Sequence, residues 1–527
     1  MILLLLILIL VVTPTFGASL TDGTVAFYHG APDRAGEYIV PDLNWHTAAS
    51  VHRVREFDGR VEGHIYAQPL YWRPPGAGRG LVIAATESDL VYALDAATGR
   101  VVWRTVLGHP VPRSALPCGN IDSLGITGTP VIDAGRGAAY LDAMVEDRGK
   151  PRHFVFGLRL SDGNVLPGFP IDIAAVLGAR GVRFDPAAQN QRGALALLNG
   201  RIFVPFGGHY GDCSDYHGVV VALMIEPPQV TGVWATRASK GGIWAPAGLS
   251  EARGSLYFST GNTEGAGSWG DGEGVFRVRP DLTHSTDPRD FFAPSDWKQL
   301  DASDLDLSGV TPLPLRLAGN EMLLAMGKDG NAYLLDRANL GGIGGALATV
   351  RAARGVIITA PAVYPLRGGV VVAYQARGAA CPNDSYVSGI GALAVSADPS
   401  QRLSSAWCNR MDGGGAPIVT TTDGSSEPIV WAVGAEGDDR LHGFRGDNGQ
   451  ELYSGSSSGD GMSGLRRFAT ILVAGGRSTS QATDASWLPI TTVTSAITHP
   501  KPRLSRLPTV SYLVSAAAFC IIDAKVV

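Results

Sequence analysis

Apolar and polar positions alternate with a period of two along much of this chain. The clearest stretch is Leu81 to Arg104, LVIAATESDLVYALDAATGRVVWR. Val91 and Ala93 fall on one side of an extended backbone, Tyr92 and Leu94 on the other, as in a half-buried strand. Turn residues divide the stretch into successive strands. Relatives of it run over Ser255 to Val278, Glu321 to Asp336, Gly369 to Val395 and Ile429 to Tyr453. A short β-like segment, with a small or polar residue before proline, recurs ahead of these elements. It reads Ala67-Gln68-Pro69, Gly128-Thr129-Pro130, Trp244-Ala245-Pro246, Val310-Thr311-Pro312, Thr359-Ala360-Pro361 and Gly415-Ala416-Pro417. Two copies lack the proline, at Gly193-Ala194-Leu195 and Phe468-Ala469-Thr470. Proline suits the first residue of a strand, where the ladder needs no N–H.

Eight copies at a mean spacing of about 57 residues predict a repeat of four-stranded sheets closed into a ring. The expected fold is all-β, an eight-bladed β-propeller. Its last blade is expected to be incomplete, because an atypical segment follows Ile471-Leu472-Val473. The expected domains are a signal peptide over 1–18, a lead-in over 19–63, the propeller over 64–476 and a tail over 477–527.

Composition agrees with short strands and tight turns. Glycine makes up 68 of 527 residues, well above the typical ~7%, which argues against an all-helical chain. Charged residues are only 17% and hydrophobic ones 45%, which excludes a solvated disordered chain. A net charge of −5 gives no basic surplus for nucleic acid.

Ile2 to Val12 are all apolar, and Thr13 to Ala18 offer a small-residue cleavage zone near Gly17 or Ala18. The run is too short to span a membrane, which takes ~20 residues. The expectation is export, to the periplasm or beyond, with no membrane span after signal removal. The tail from Arg477 contains no glycine and reads as disordered or as the product of a shifted reading frame. The five cysteines, Cys118, Cys213, Cys381, Cys408 and Cys520, form no CxxC, CxxCH or CC pair. Metal-ligand spacing and c-type haem attachment are therefore absent. In an exported chain the first four allow three disulfide connectivities, or remain buried thiols. The reading adopted is Cys118–Cys213 with Cys381–Cys408, the latter flanking one repeat.

Ala93 to Trp103 fits the AxDxxTGxxxW signature of quinoprotein propeller repeats. Two further stretches resemble the pyrroloquinoline quinone (PQQ) alcohol dehydrogenases. In the first, Gly241-Gly242-Ile243-Trp244 precedes Thr260-Gly261-Asn262. The resemblance implies that Trp244 stacks under the quinone and that Asn262 binds calcium. In the second, Lys328-Asp329-Gly330-Asn331-Ala332-Tyr333-Leu334-Leu335-Asp336-Arg337 is similar to the family's KNGFFYVLDR run. It implies that Lys328 contacts the quinone. Asp304 and Asp306 lie where the family carries its catalytic aspartate. The family's adjacent-cysteine disulfide and its calcium-binding glutamate have no counterpart here. Asp212 or Asp215 in the polar loop His209 to His217 is the substitute metal ligand, and His217 is a further cofactor-facing candidate.

A quinone oxidant with calcium needs hard oxygen ligands, an aromatic platform and a carboxylate to take the alcohol proton. These residue types supply each of them. Each also has a structural reading: packing for Trp244, a turn for Asn262, a hairpin turn at Lys328-Asp329-Gly330. The G-x-S-x-G match at Gly455 to Gly459 lies in the serine run Ser454 to Gly461, which reads as a flexible connector and not a strand-to-helix elbow, and no phosphate loop is present. The expected function is an exported quinoprotein-like oxidoreductase for alcohols or sugars, using PQQ and Ca2+ and a separate electron acceptor. The alternative is a non-catalytic scaffold that binds a protein or carbohydrate partner. Either would take its ligand at the tunnel mouth.

Overall fold

The structure, a computed structural model, describes residues 23–53, 57–76, 80–366, 369–455, 460–474 and the backbone of strands 489–497 and 514–523. The expected signal peptide lies outside the described residues.

Strand follows strand in chain order and each joins its neighbour antiparallel, except that Gly342–Ile343 adds parallel to the last strand of the fourth sheet. Leu70–Trp72, Leu81–Thr86, Leu90–Asp95 and Val101–Val106 form the first sheet. The second runs from Val131–Asp133 to Ile171–Asp172, and the third from Gln189–Asn190 to Gln229–Ala235. The fourth runs from Ser250–Ala252 to Phe291–Ala293, the fifth from Leu313–Leu317 to Ala348–Arg351. The sixth spans Ala362–Leu366 to Leu403–Arg410, and the seventh Ile418–Thr421 to Glu451–Tyr453. The strand Glu37–Ile39 adds parallel to Ile418–Thr421. A further sheet joins Leu472–Ala474, Val514–Asp523, Pro489–Ile497, His52–Arg53 and Gly59–Glu62. Part of the segment expected as a tail therefore enters a sheet. Its β-branched run Ile490-Thr491-Thr492-Val493-Thr494 suits a strand, and Pro489 stands at the strand's first position.

The core is laid down between sheets. Leu70, Ile83 and Ala93 of the first sheet pack with Ile132, Leu141 and Leu158 of the second. Similar clusters join the second sheet to the third, and so on to the seventh. The last one holds Ile418 and Trp431 of the seventh sheet with Leu472 and Val473. It also holds Val82, Ala84 and Tyr92 of the first sheet. The packing thus returns to its starting point.

Turn chemistry locks adjacent sheets together. Asp95 Oδ1 accepts the Thr98 N–H at 2.9 Å and the Thr98 hydroxyl at 2.8 Å. Gly99 follows with φ +74°, a conformation that favours glycine. Trp103 then donates its indole N–H to Leu160 O of the second sheet at 2.8 Å. It lies so close to Gly163 that a Cβ there would sit 2.5 Å from the ring. Trp407 repeats the device: its indole N–H reaches Gly446 O at 2.8 Å, and its ring abuts Gly449.

The lead-in segment crosses this arrangement like an axle. Val25 exchanges main-chain bonds with Tyr71, and Ala26 O accepts from Ile132 N. Pro32 O accepts from Glu251 N, Ala35 O from Val363 N and Gly36 O from Val419 N. Fully buried Arg34 donates to Leu249 O and Leu195 O, both at 2.9 Å. Tyr28 nests among Ala194, Ala247, Ala360 and Ala416, small residues in or beside the recurring segments. One short stretch can touch so many sheets only where their first strands face a common line.

Candidate functional site

The site grows out of the ends of strands in the fourth and fifth sheets. Trp244 immediately precedes the strand-leading Ala245-Pro246. Asn262 follows the strand Ser255–Ser259, and Lys328 sits in the turn between Asn320–Met326 and Asn331–Asp336. Asp304 caps the helix Trp297–Ser303 in the left-handed conformation, φ +53°. The chain then turns through Asp306 into the 3-10 turn Leu307–Gly309.

These residues converge on one carboxylate. Asp306 is 3% exposed. Trp244 Nε1 donates to its Oδ2 at 3.1 Å, and Lys328 Nζ lies 2.6 Å from the same oxygen. The Asn262 backbone N–H donates to Oδ1 at 3.2 Å. Lys328 Nζ also reaches Asp304 Oδ1 at 2.7 Å and stands 5.4 Å from the centroid of the Trp244 ring. That is cation–π range. Gly261 allows the close approach: a Cβ there would lie 3.1 Å from Asp306 Cγ and 2.7 Å from Ser308 Oγ.

Burial pushes the Asp306 carboxyl above the usual carboxylate range, and the Lys328 ammonium pulls it partly back. For Lys328 burial acts downward, but Asp306 and Asp304 outweigh it and leave the ammonium above its ordinary value. Lys328 therefore carries its charge throughout the neutral range.

Glu273, which the sequence reading did not single out, is the second acid here. It is fully buried. Its Oε2 accepts the Leu307 N–H at 2.8 Å, while Oε1 has no partner among the described residues. Burial first, and then the Asp306 charge, hold its carboxyl well above the usual range. The only sequence signal was the polar-aromatic loop Trp269-Gly270-Asp271-Gly272-Glu273. Nearby Asp301 accepts the Thr263 N–H and hydroxyl at 2.9 and 2.8 Å.

The loop candidates are occupied elsewhere. Asp215 bonds Ser239 Oγ at 2.6 Å and Arg183 at 2.7 Å. Asp212 accepts the Tyr216 hydroxyl. His217 Nδ1 lies 2.9 Å from Thr236 O. None of the three bonds to Asp306 or Asn262. Among the described residues no three His, Cys, Asp or Glu side chains are grouped to hold a metal ion. His209 Nε2 lies 2.9 Å from Ala187 O, and burial lowers that imidazole to about 4. Cys118 and Cys213 are joined, with Cα atoms 6.0 Å apart, which ties this loop to residues 113–124. Cys381, just past the strand Gly369–Ala380, is joined to Cys408 in the strand Leu403–Arg410, with Cα atoms 5.2 Å apart.

No family model and no curated protein matches the chain. Solved structures do. A quinohemoprotein alcohol dehydrogenase of Pseudomonas putida is 14% identical with a TM-score of 0.57, over 90% of this chain and 74% of that one. The quinohemoprotein alcohol dehydrogenase of Comamonas testosteroni is 13% identical at 0.59, over 84% of this chain and 74% of its own. A europium-containing methanol dehydrogenase is 13% identical at 0.55, over 83% of this chain and 86% of its own. The chain has the β-propeller fold of the quinoprotein alcohol dehydrogenase type. At these identities the likeness concerns the fold alone. Among the described residues no helix is long and apolar enough to cross a membrane.

Proposed function

We propose that this chain is an exported, eight-bladed quinoprotein-like oxidoreductase whose mouth oxidises alcohols or sugars with PQQ. Eight sheets of four or five strands and a core that returns to the first sheet support the blade count. The convergence of Trp244, Lys328 and Asn262 on buried Asp306 carries the functional reading.

The residues fit a planar quinone. Trp244 is half-buried and offers an aromatic face. The permanently charged Lys328 stands over that ring and suits an electron-rich oxygen. When bound, the quinone supplies the two-electron acceptor. Asp306 is the proton acceptor: Oδ1 takes one hydrogen bond from Asn262 and keeps a lone pair for a substrate hydroxyl. Trp244 and Lys328 hold Oδ2 and so fix the carboxylate plane. Lys328 also favours the ionised form that can take a proton.

Calcium fits less well. It takes six to eight oxygens, and Asp212 and Asp215 are engaged within their own loop. That shortage, with the missing adjacent-cysteine pair, favours a second reading in which the mouth binds a protein or carbohydrate without catalysis. No c-type haem motif is present, so an enzyme of this kind passes electrons to a separate acceptor.

Dye-linked oxidation decides between them. The chain is incubated with PQQ, with and without calcium, and offered a panel of alcohols and sugars. The oxidoreductase reading expects dye reduction that falls ~100-fold or more in Asp306→Asn, the scale of losing a general base. An inert wild-type protein overturns it and leaves the scaffold.

A further inference from the structure

A cavity of about 580 Å³ lies between the fourth and fifth sheets. It opens at the opposite end of these strands from Asp306. Ser255 begins the strand whose far end leads to Asn262, and Arg277 and Arg279 lie at the end of the strand that starts after Glu273. A five-residue strand places these ends ~17 Å apart.

Five arginines line the cavity, namely Arg253, Arg277, Arg279, Arg289 and Arg337, against two carboxylates, Asp290 and Glu321. The carboxylates are already committed. Glu321 serves Arg253, Arg337 and Arg316 at once. Asp290 takes Arg277 at 2.6 Å and the Ser285 hydroxyl at 2.7 Å. Arg289 finds its partner, Asp287, outside the lining. Arg279 is exposed and has no carboxylate within ion-pair distance among the described residues. The walls thus hold a surplus of guanidinium groups over the acids available to them. Three carboxylates, Asp287, Asp290 and Glu321, are set against these five guanidinium groups, and the positive charge left over is one an entering anion would offset.

We propose that this cavity binds a small phosphate monoester, its phosphate held by Arg253, Arg279 and Arg289. Guanidinium forks match the oxygens of phosphate and donate two parallel hydrogen bonds. A dianion offsets most of the surplus, which a single carboxylate does not. The volume lies in the ~300–1,000 Å³ range of small-molecule sites and leaves room for an attached organic group. The buried Tyr257 and the aliphatic stem of Arg337, itself 8% exposed, supply an apolar floor. Nothing in the proposal depends on the quinone reading.

Calorimetric titration of the full chain tests it, with no quinone present. The probes are glycerol 3-phosphate and inorganic phosphate. The expected result is saturable 1:1 binding, tighter for the ester, weakening as salt is raised. Arg279→Gln and Arg289→Gln change exposed side chains, so both fold, and each is expected to weaken binding at least tenfold. Glu321→Gln removes a competing carboxylate and is expected to strengthen it. Absence of saturable binding by either probe overturns the proposal, as does unchanged affinity in both arginine variants. Equal affinity for phosphate and ester overturns the assignment to an ester.

Discussion

Replacing Arg34 by methionine removes a fully buried guanidinium and keeps most of its apolar stem. Arg34 donates to Leu249 O and Leu195 O at 2.9 Å each, with a longer contact of 3.4 Å to Tyr28 O. It has no ion-pair partner among the described residues, and burial lowers its pKa to about 10. Its contribution therefore comes from charged hydrogen bonds to main-chain carbonyls on two different sheets. Each such bond contributes ~1.5–3 kcal/mol net, so the two short ones give roughly 3–6 kcal/mol. Arg34→Met is expected to lose about that much, measured as the shift in the urea midpoint multiplied by the transition slope. Arg34→Lys keeps the charge but presents no fork, so it satisfies at most one carbonyl and falls between. Amide exchange is expected to quicken at Glu251 and at Ile132, whose N–H groups bond the same segment. A loss below ~1 kcal/mol, with exchange unchanged at those positions, would refute the axle.

Two groups on the same segment give pH dependence of opposite sign. Burial lowers His29 from 6.5 to about 3; between those values the unfolded chain binds a proton that the folded one does not, so stability rises with pH there. His29→Gln is expected to flatten that part of a melting-temperature profile, leaving the share due to His209. Burial raises Glu37 from 4.5 to about 7; the folded chain holds the extra proton across that window, so stability falls as pH rises through it. Glu37→Gln is expected to be the more stable protein at pH 8, by up to ~3 kcal/mol, and an unchanged urea midpoint there would count against it. Reducing the disulfides costs an amount that grows with the logarithm of the loops they close, 95 and 27 residues. Chain entropy puts the losses at ~4.7 and ~3.6 kcal/mol, read by comparing Cys118→Ser and Cys408→Ser in denaturant.

How far the sequence reached depended on how local the information was. Strands such as Leu81–Thr86 and Leu90–Asp95 were legible because alternation is a property of neighbouring residues. The turn at Asp95-Thr98-Gly99 was legible because its hydrogen bonds close within five residues. Trp244, Lys328 and Asp306 could be grouped because the motif spacing of the family they resemble stands in for the fold that brings them together. The axle was not legible: its bonds run to backbone groups on distant sheets, and backbone groups carry no residue signature. Glu273 was hidden in a glycine-rich loop that reads as a turn. Asp212 and Asp215 were named as substitutes for the family's calcium-binding glutamate, and their side chains bond Tyr216, Ser239 and Arg183. The arginines of the second cavity are spread over 85 positions from Arg253 to Arg337, so no sequence window gathers them.

Titration of tryptophan fluorescence with PQQ is the most direct test of the site at Asp306. Quenching in the wild-type chain is expected to saturate at one quinone per chain. In Trp244→Leu the affinity is expected to drop at least tenfold, equivalent to the ~1.4 kcal/mol within reach of one lost stacking contact. Saturation at unchanged affinity in Trp244→Leu, or no saturable quenching in the wild type, would contradict the account.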